Sequence, residues 1–362
     1  MLKTAPAVFA VENNYQIMVS TTRPALFWVR VGDECYYDES NGILRSLSDL
    51  HRVEVPMSAL DLHGGYTVCV RPLIERKPYF TETEEVEEFK FSFYPVSGDS
   101  VRAYHISDSH NQTEAPIKAA EAFGDFDFLI LNGDVIDHSG DPSKFDNVYE
   151  IAAQLTGGEK PVVFSRGNHD MRGNYAERFA DFTPCAGGKT YYTFRLGGIW
   201  GALVDCGEDK DDSHEAYGHT ICCHAFRERQ YAYFKKIVEN KDKEYCADGI
   251  FSRIVISHVP FTYIQRHPFD IEQDIYRRWT EILKEEIHPD VIICGHMHLT
   301  EVWQKGSDRD SFGIQPCPVV IGGTPGEDYK DYFAGCGYTF TKDGITVTFT
   351  DSNGKTLGEE KI

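Results

Sequence analysis

Apolar residues in this chain gather into short runs, and the character of the runs changes near residue 97. Before it, Tyr15–Ser20, Ala25–Val31, Tyr66–Pro72 and Glu88–Tyr94 alternate or run apolar and are rich in β-branched and aromatic residues. Asp33, Asn41-Gly42 and Gly64-Gly65 punctuate them as turns. Several short strands in so little chain predict a small all-β sandwich over residues 1–97. The acidic stretch Thr81–Glu88 reads as a solvated loop, and Pro95–Ser100 as a linker.

From residue 98 to residue 362 strands alternate with helices. Val101–Ser107, Phe128–Leu131, Pro161–Ser165, Arg253–Ser257 and Val291–Cys294 read as strands, and Phe128–Leu131 has the length of a fully buried one. Between them the spacing predicts helices at Thr113–Phe123, Ser143–Leu155, Phe226–Asn240 and Gln273–Ile287. The last carries Ile275, Trp279, Leu283 and Ile287 on one face. Thr190–Val204 reads as a strand pair around Gly197-Gly198. Val319–Gly322 and Tyr338–Asp351, turning at Asp343-Gly344, read as β structure. The fold class expected for this part is α/β.

Composition narrows the partners more than the fold. The 41% hydrophobic and 26% charged residues fit a soluble globular protein, and 362 residues give room for two domains. A formal charge of -21 argues against nucleic acid or an anionic membrane as partner. A small phosphorylated substrate remains compatible, because bound metal ions reverse the field locally. No apolar run approaches a membrane span. The opening MLKTAPAVFAVENN lacks the apolar core of a secretion signal. The ten cysteines stand in no zinc-like or CxxC spacing and are expected to be reduced, with the cytoplasm as the expected compartment.

One arrangement recurs five times: a strand ends, and metal-capable side chains follow at once. The stretch FLILNGDVID is the centre of the pattern, delivering Asp134 and Asp137 past Gly133 to the rim of a sheet, where α/β proteins bind ligands. The other four blocks are Asp108-Ser109-His110, Gly167-Asn168-His169-Asp170, His258, and Gly295-His296-Met297-His298. In Asp-x-His and His-x-His the end residues can point the same way from an extended loop. Carboxylate, amide oxygen and imidazole suit borderline-hard first-row metals. With no thiolate among them, the set points to a hydrolytic rather than a structural zinc site.

These five blocks, in this order, resemble the calcineurin-like metallophosphoesterase superfamily over residues 101 to 300. The resemblance implies a four-layer α-β-β-α sandwich and two divalent metal ions, with manganese, iron and zinc all open. It implies Asp108, His110, Asp134 and His298 on one ion and Asp134, Asn168, His258 and His296 on the other, with Asp134 shared. It implies phosphate mono- or diester hydrolysis by metal-bound hydroxide. His169 would stand at the leaving-group oxygen as general acid or transition-state stabiliser, and the Asp137 carboxylate would hydrogen-bond it. The β-sandwich ahead of this domain is similar in layout to the fibronectin III-like domain of purple acid phosphatases. The motifs depart from that family at Asp137, where it places a tyrosine that binds ferric iron, and at His110, where it has no imidazole.

Around this set, Arg166 and Arg172 flank the Asn168-His169 pair and suit phosphate contact. The polar stretch Asp205–His224 is expected to wall the site, with Tyr217, His214 or His219 near substrate. Arg172, Asn168 and Tyr217 are the substrate candidates. Tyr263, His267 and Tyr329 are further candidates for the pocket lining, and Cys222-Cys223-His224 for a separate metal site. Two other functions stay open: a protein phosphatase, against which stands His138 where such enzymes carry Arg, and a scaffold whose metal site is vestigial.

Overall fold

The computed structural model describes residues 1–362, and most of its strands form two large sheets that share an apolar interior. The ten-stranded sheet runs, in spatial order, Thr356–Lys361, Gly344–Asp351, Phe333–Thr341, Ser100–Ile106, Phe128–Asn132, Pro161–Ser165, Ala7–Val11, Asn14–Ser20 and Leu50–Pro56, with Thr324–Pro325 paired to Phe333–Thr341. The six-stranded sheet runs Thr193–Leu196, Ile199–Val204, Ser252–Ser257, Val291–Cys294, Val319–Ile321 and Glu301–Trp303.

The motif-bearing strands are apolar over most of their length because both faces are covered. In the six-stranded sheet Ile254, Ile256, Val291 and Ile293 face a core of 62 residues shared with the ten-stranded sheet. Val255 and Ile292 face the opposite way, into a core of 21 residues under the helices Cys223–Glu239 and Gln273–Ile282. Ile275, Trp279, Leu283 and Ile287 are all buried there. Helices Glu114–Phe123 and Asp146–Thr156 cover the far face of the ten-stranded sheet through Ala119, Ala120, Val148 and Ile151. The result is helix, sheet, sheet, helix, the layering that the family resemblance implied.

The first 97 residues are β-rich, with one short helix, Met57–His63. Their separate sheet runs Glu87–Ser92, Gly65–Lys77, Ala25–Val31 and Glu34–Tyr37. Ala25–Val31 alternates buried and half-buried residues, the signature of a strand with one face on a core. The opposing layer consists of Asn14–Ser20 and Leu50–Pro56, which belong to the ten-stranded sheet. Ala7–Val11 lies parallel to Pro161–Ser165 in that sheet, with Val8 beside Pro161 and Phe9 beside Val162. Hydrogen bonding and the 62-residue core therefore both continue across the division expected near residue 97.

All ten cysteines are unpaired thiols. No helix is long and apolar enough to cross a membrane.

Candidate metal centre

The five motif blocks meet where the carboxyl ends of the two sheets come together. The turns leaving the strands are tight, and five of the side chains that point inward sit on left-handed backbone: Asp108 (φ 57°), His110 (43°), Asp134 (51°), His296 (67°) and His298 (52°). Each such residue costs about 1–3 kcal/mol and persists only where its surroundings enforce it. Here the turns hold one another: Asp108 N–H donates to Gly133 O, His110 N–H to Asp134 O, and Gly295 N–H to His258 O. Gly295 is required by packing, since a Cβ there would lie 1.8 Å from Ser107 Oγ and 2.6 Å from Asp108 Oδ2.

Asp108 and Asp134 are buried, with one side of each carboxyl group occupied. Asp108 Oδ2 accepts from Ser107 Oγ at 2.6 Å and from His296 N–H at 2.8 Å. Its Oδ1 is buried without a hydrogen-bond partner. Asp134 Oδ1 accepts from His169 N–H at 2.9 Å, while Oδ2 faces His258 Nε2 at 3.1 Å. His258 gives its Nδ1 proton to Asn132 O at 2.8 Å, so Nε2 turns toward both carboxylates and makes no hydrogen bond. His110 Nε2 and His298 Nε2 lie 3.3 Å apart, and His298 Nε2 lies 3.5 Å from Asp108 Oδ1. His296 Nδ1 meets Asn168 Oδ1 at 3.0 Å.

The structure thus brings together all seven donors expected from the sequence. They form two tight groups, Asp108-His110-His298 and Asp108-Asp134-His258, each with its ligand atoms within 4.8 Å of one another. His296 and Asn168 extend the second group. A buried carboxylate oxygen and a buried ring nitrogen left bare beside each other are what a cation would satisfy, and the oxygen and imidazole chemistry suits divalent first-row metals. The residues fit such ions.

Charge is strongly polarised in this cluster. Burial disfavours a charged His258, but Asp134 and Asp108 outweigh it and raise its pKa to about 10. Burial likewise works against an ionised Asp134, yet His258, His169 and His110 hold its pKa well below the carboxylate norm. Burial and the neighbouring His258 lower His296 to about 4. Asp170 was named in the sequence only as part of its block. Buried beneath Asp134, it accepts from Gly167 N–H at 2.7 Å, and burial and the Asp134 charge push it up to about 7.

His169 stands at the edge of the cluster, partly exposed, with its ring 4.8 Å from that of His110. The expected hydrogen bond to the Asp137 carboxylate is replaced by one to the Asp137 carbonyl: Nδ1 donates to that oxygen at 2.9 Å. The Asp137 carboxylate lies 3.5 Å from Nδ1 of both His169 and His110. The tight turn after Asp134 brings the backbone of Asp137 closer than its side chain.

The flanking candidates divide. Arg172 makes a two-pronged contact with Glu208 at 3.0 Å on each prong, and Arg166 pairs with Asp205 at 2.7 Å. Tyr217 turns its hydroxyl to Glu208 and Asp209, at 3.0 and 3.1 Å. Asp209 reaches Asn168 Nδ2 at 3.4 Å, which joins the Asp205–His224 stretch to the cluster. Sequence reasoning did not single out Glu208 or Asp209, since nothing in an acidic loop marks which carboxylates fold inward. Tyr329 lies over His110, ring centres 4.3 Å apart. Tyr263 is held by Arg309 and packs on Trp303, and His267 binds Asp270 on the surface. His214 caps its own turn, and His219 is exposed. His224 pairs with Glu272 rather than joining Cys222 and Cys223 in a donor group.

Oxygen and imidazole donors at the facing carboxyl edges of two helix-covered sheets define an α/β protein with a candidate metal centre. The sequence profile of calcineurin-like phosphoesterases matches residues 101–299, and the chain belongs to that family. No curated protein sequence matches it. Among solved structures it is similar to a purple acid phosphatase from yellow lupin (Lupinus luteus) seeds, with a TM-score of 0.63 and 14% identity, covering 99% of this chain and 73% of that one. It is also similar to PhoD, with a TM-score of 0.55 and 12% identity, covering 99% and 88%. At such identities the likeness is one of fold, and it includes the all-β amino-terminal part.

Proposed function

We propose that this protein is a binuclear metal-dependent phosphoesterase acting on a small phosphate mono- or diester. Asp108, His110, Asp134 and His298 would hold one divalent ion, and Asp134, Asn168, His258 and His296 the other. The observation that carries the reading is the bare, buried Asp108 Oδ1 set between His258 Nε2 and His298 Nε2, at 3.7 and 3.5 Å. Two divalent ions, when bound, supply polarisation of the phosphoryl oxygens and a nucleophile at neutral pH.

The chain's own part is orientation and proton transfer. Asn132 O fixes the His258 tautomer, and Ser107 Oγ and the His296 N–H fix the Asp108 carboxylate. His169, with Nδ1 committed to the Asp137 carbonyl, has Nε2 left to give a proton to the leaving-group oxygen. The test is hydrolysis of p-nitrophenyl phosphate and bis-p-nitrophenyl phosphate by manganese-loaded protein. An Asp134→Asn variant that keeps more than about a tenth of the wild-type rate contradicts a shared ligand at this position.

A further inference from the structure

We propose that Glu208 and Tyr217 are positioning residues that aim the free Nη1 group of Arg172 at a phosphoryl oxygen of the substrate; this rests on the phosphoesterase reading above. Glu208 is 1% exposed, an unusual place for a carboxylate. Its two oxygens take Nε and Nη2 of Arg172, each at 3.0 Å. Nη2 also reaches Asp209 Oδ1 at 3.4 Å. Three of the five guanidinium protons are thereby assigned, and those on Nη1, which bonds to nothing in the protein, remain. A guanidinium held at Nε and Nη2 presents Nη1 as a fixed, charged donor, and such an N–H suits a phosphoryl oxygen.

Tyr217 cannot itself serve the substrate. Its oxygen lies 3.0 Å from Glu208 Oε2 and 3.1 Å from Asp209 Oδ1, and it accepts from Lys210 N–H at 3.2 Å. One hydroxyl proton shared between two carboxylates leaves nothing to offer outward. The phenol instead ties the two acids together. Arg227, buried, fixes the same loop by donating to the carbonyls of Cys206 and Glu208, at 2.7 and 2.5 Å. Through Asp209 and Asn168 the frame connects directly to the proposed metal ligands. Arg172 and Lys210 face Glu208 and Asp209, two cations against two anions. The frame therefore contributes geometry rather than net positive charge.

The test is calorimetric titration of manganese-loaded protein with inorganic phosphate, for wild type, Arg172→Ala, Tyr217→Phe and the double variant. Arg172→Ala is expected to weaken phosphate by roughly tenfold or more and Tyr217→Phe by about threefold to tenfold, the range for losing a charged or a neutral hydrogen bond. The double variant should bind no more weakly than Arg172→Ala alone, because the phenol acts only through the guanidinium. Glu208→Gln supplies a second frame variant with the same expected non-additivity. Additive losses, or an unchanged Tyr217→Phe titration, overturn the proposal and leave the phosphoesterase reading standing. Wild-type protein that takes up manganese but binds no phosphate overturns both.

Discussion

His110 and His298 turn their Nε2 atoms toward each other across 3.3 Å. Two imidazole lone pairs at that separation repel unless a proton or a cation lies against them. Chelator treatment should therefore lower the thermal midpoint, and added manganese should restore it. At about 100 times its Kd, one bound ion adds roughly 2.7 kcal/mol, a shift of several degrees that scanning calorimetry resolves. An unchanged midpoint would show that no ion is bound there.

Asp108→Asn should remove metal more than it disturbs the fold. The amide oxygen can still accept from Ser107 and the His296 N–H, which orients its NH₂ where the bare Oδ1 stood. Metal content by elemental analysis should fall, with affinity reduced by more than the roughly 10–100-fold typical of a residue that only supports a ligand. Circular dichroism should change little.

His169→Gln should lower kcat by about 100-fold or more while metal content stays the same, as expected on losing a general acid. The loss should be larger for phenyl phosphate than for p-nitrophenyl phosphate, whose leaving group needs less protonation. Asp137→Asn should cost less than His169→Gln, because the 2.9 Å hydrogen bond to His169 comes from the Asp137 backbone and survives the change.

Gly295→Ala should fail where Gly358→Ala is tolerated. A methyl group at 295 must displace Ser107 Oγ and Asp108 Oδ2, whereas nothing lies within 4 Å of the corresponding position at 358. Overpacking of this kind costs about 1–3 kcal/mol, readable in urea unfolding, and manganese affinity should drop with it.

The fragment 98–362 should not give a soluble, cooperatively folded protein. Without Ala7–Val11 the strand Pro161–Ser165 loses a parallel neighbour and becomes an open edge. Full-length protein should unfold with superimposable far-UV and fluorescence transitions, as expected for one continuous core. A soluble fragment with its own sharp transition would contradict this.

The site was legible because its physics is local. A short apolar run, a tight turn and then a carboxylate or imidazole can be read along the chain without knowing any partner, and Phe128–Asn132 with Asp134 is the clearest instance. Ala7–Val11 was not legible as a strand, since five apolar residues near the start reveal nothing about a partner at Pro161–Ser165. The edge strand Thr356–Lys361 is mostly exposed and lacks an apolar face to betray it. The Asp137 contact went wrong for a geometric reason: the spacing from Asp134 says that residue 137 comes near His169 but not whether its side chain or its carbonyl arrives first. Glu208 and Asp209 depend on how a polar loop folds back, which periodicity does not encode.

The place of Ala7–Val11 beside Pro161–Ser165 also sets a timetable for synthesis. At some 5–20 residues per second, the ribosome delivers the later strand on the order of ten seconds after the earlier one. Throughout that interval Ala7–Val11 can pair only with Asn14–Ser20, and its other edge stays open until the later strand arrives.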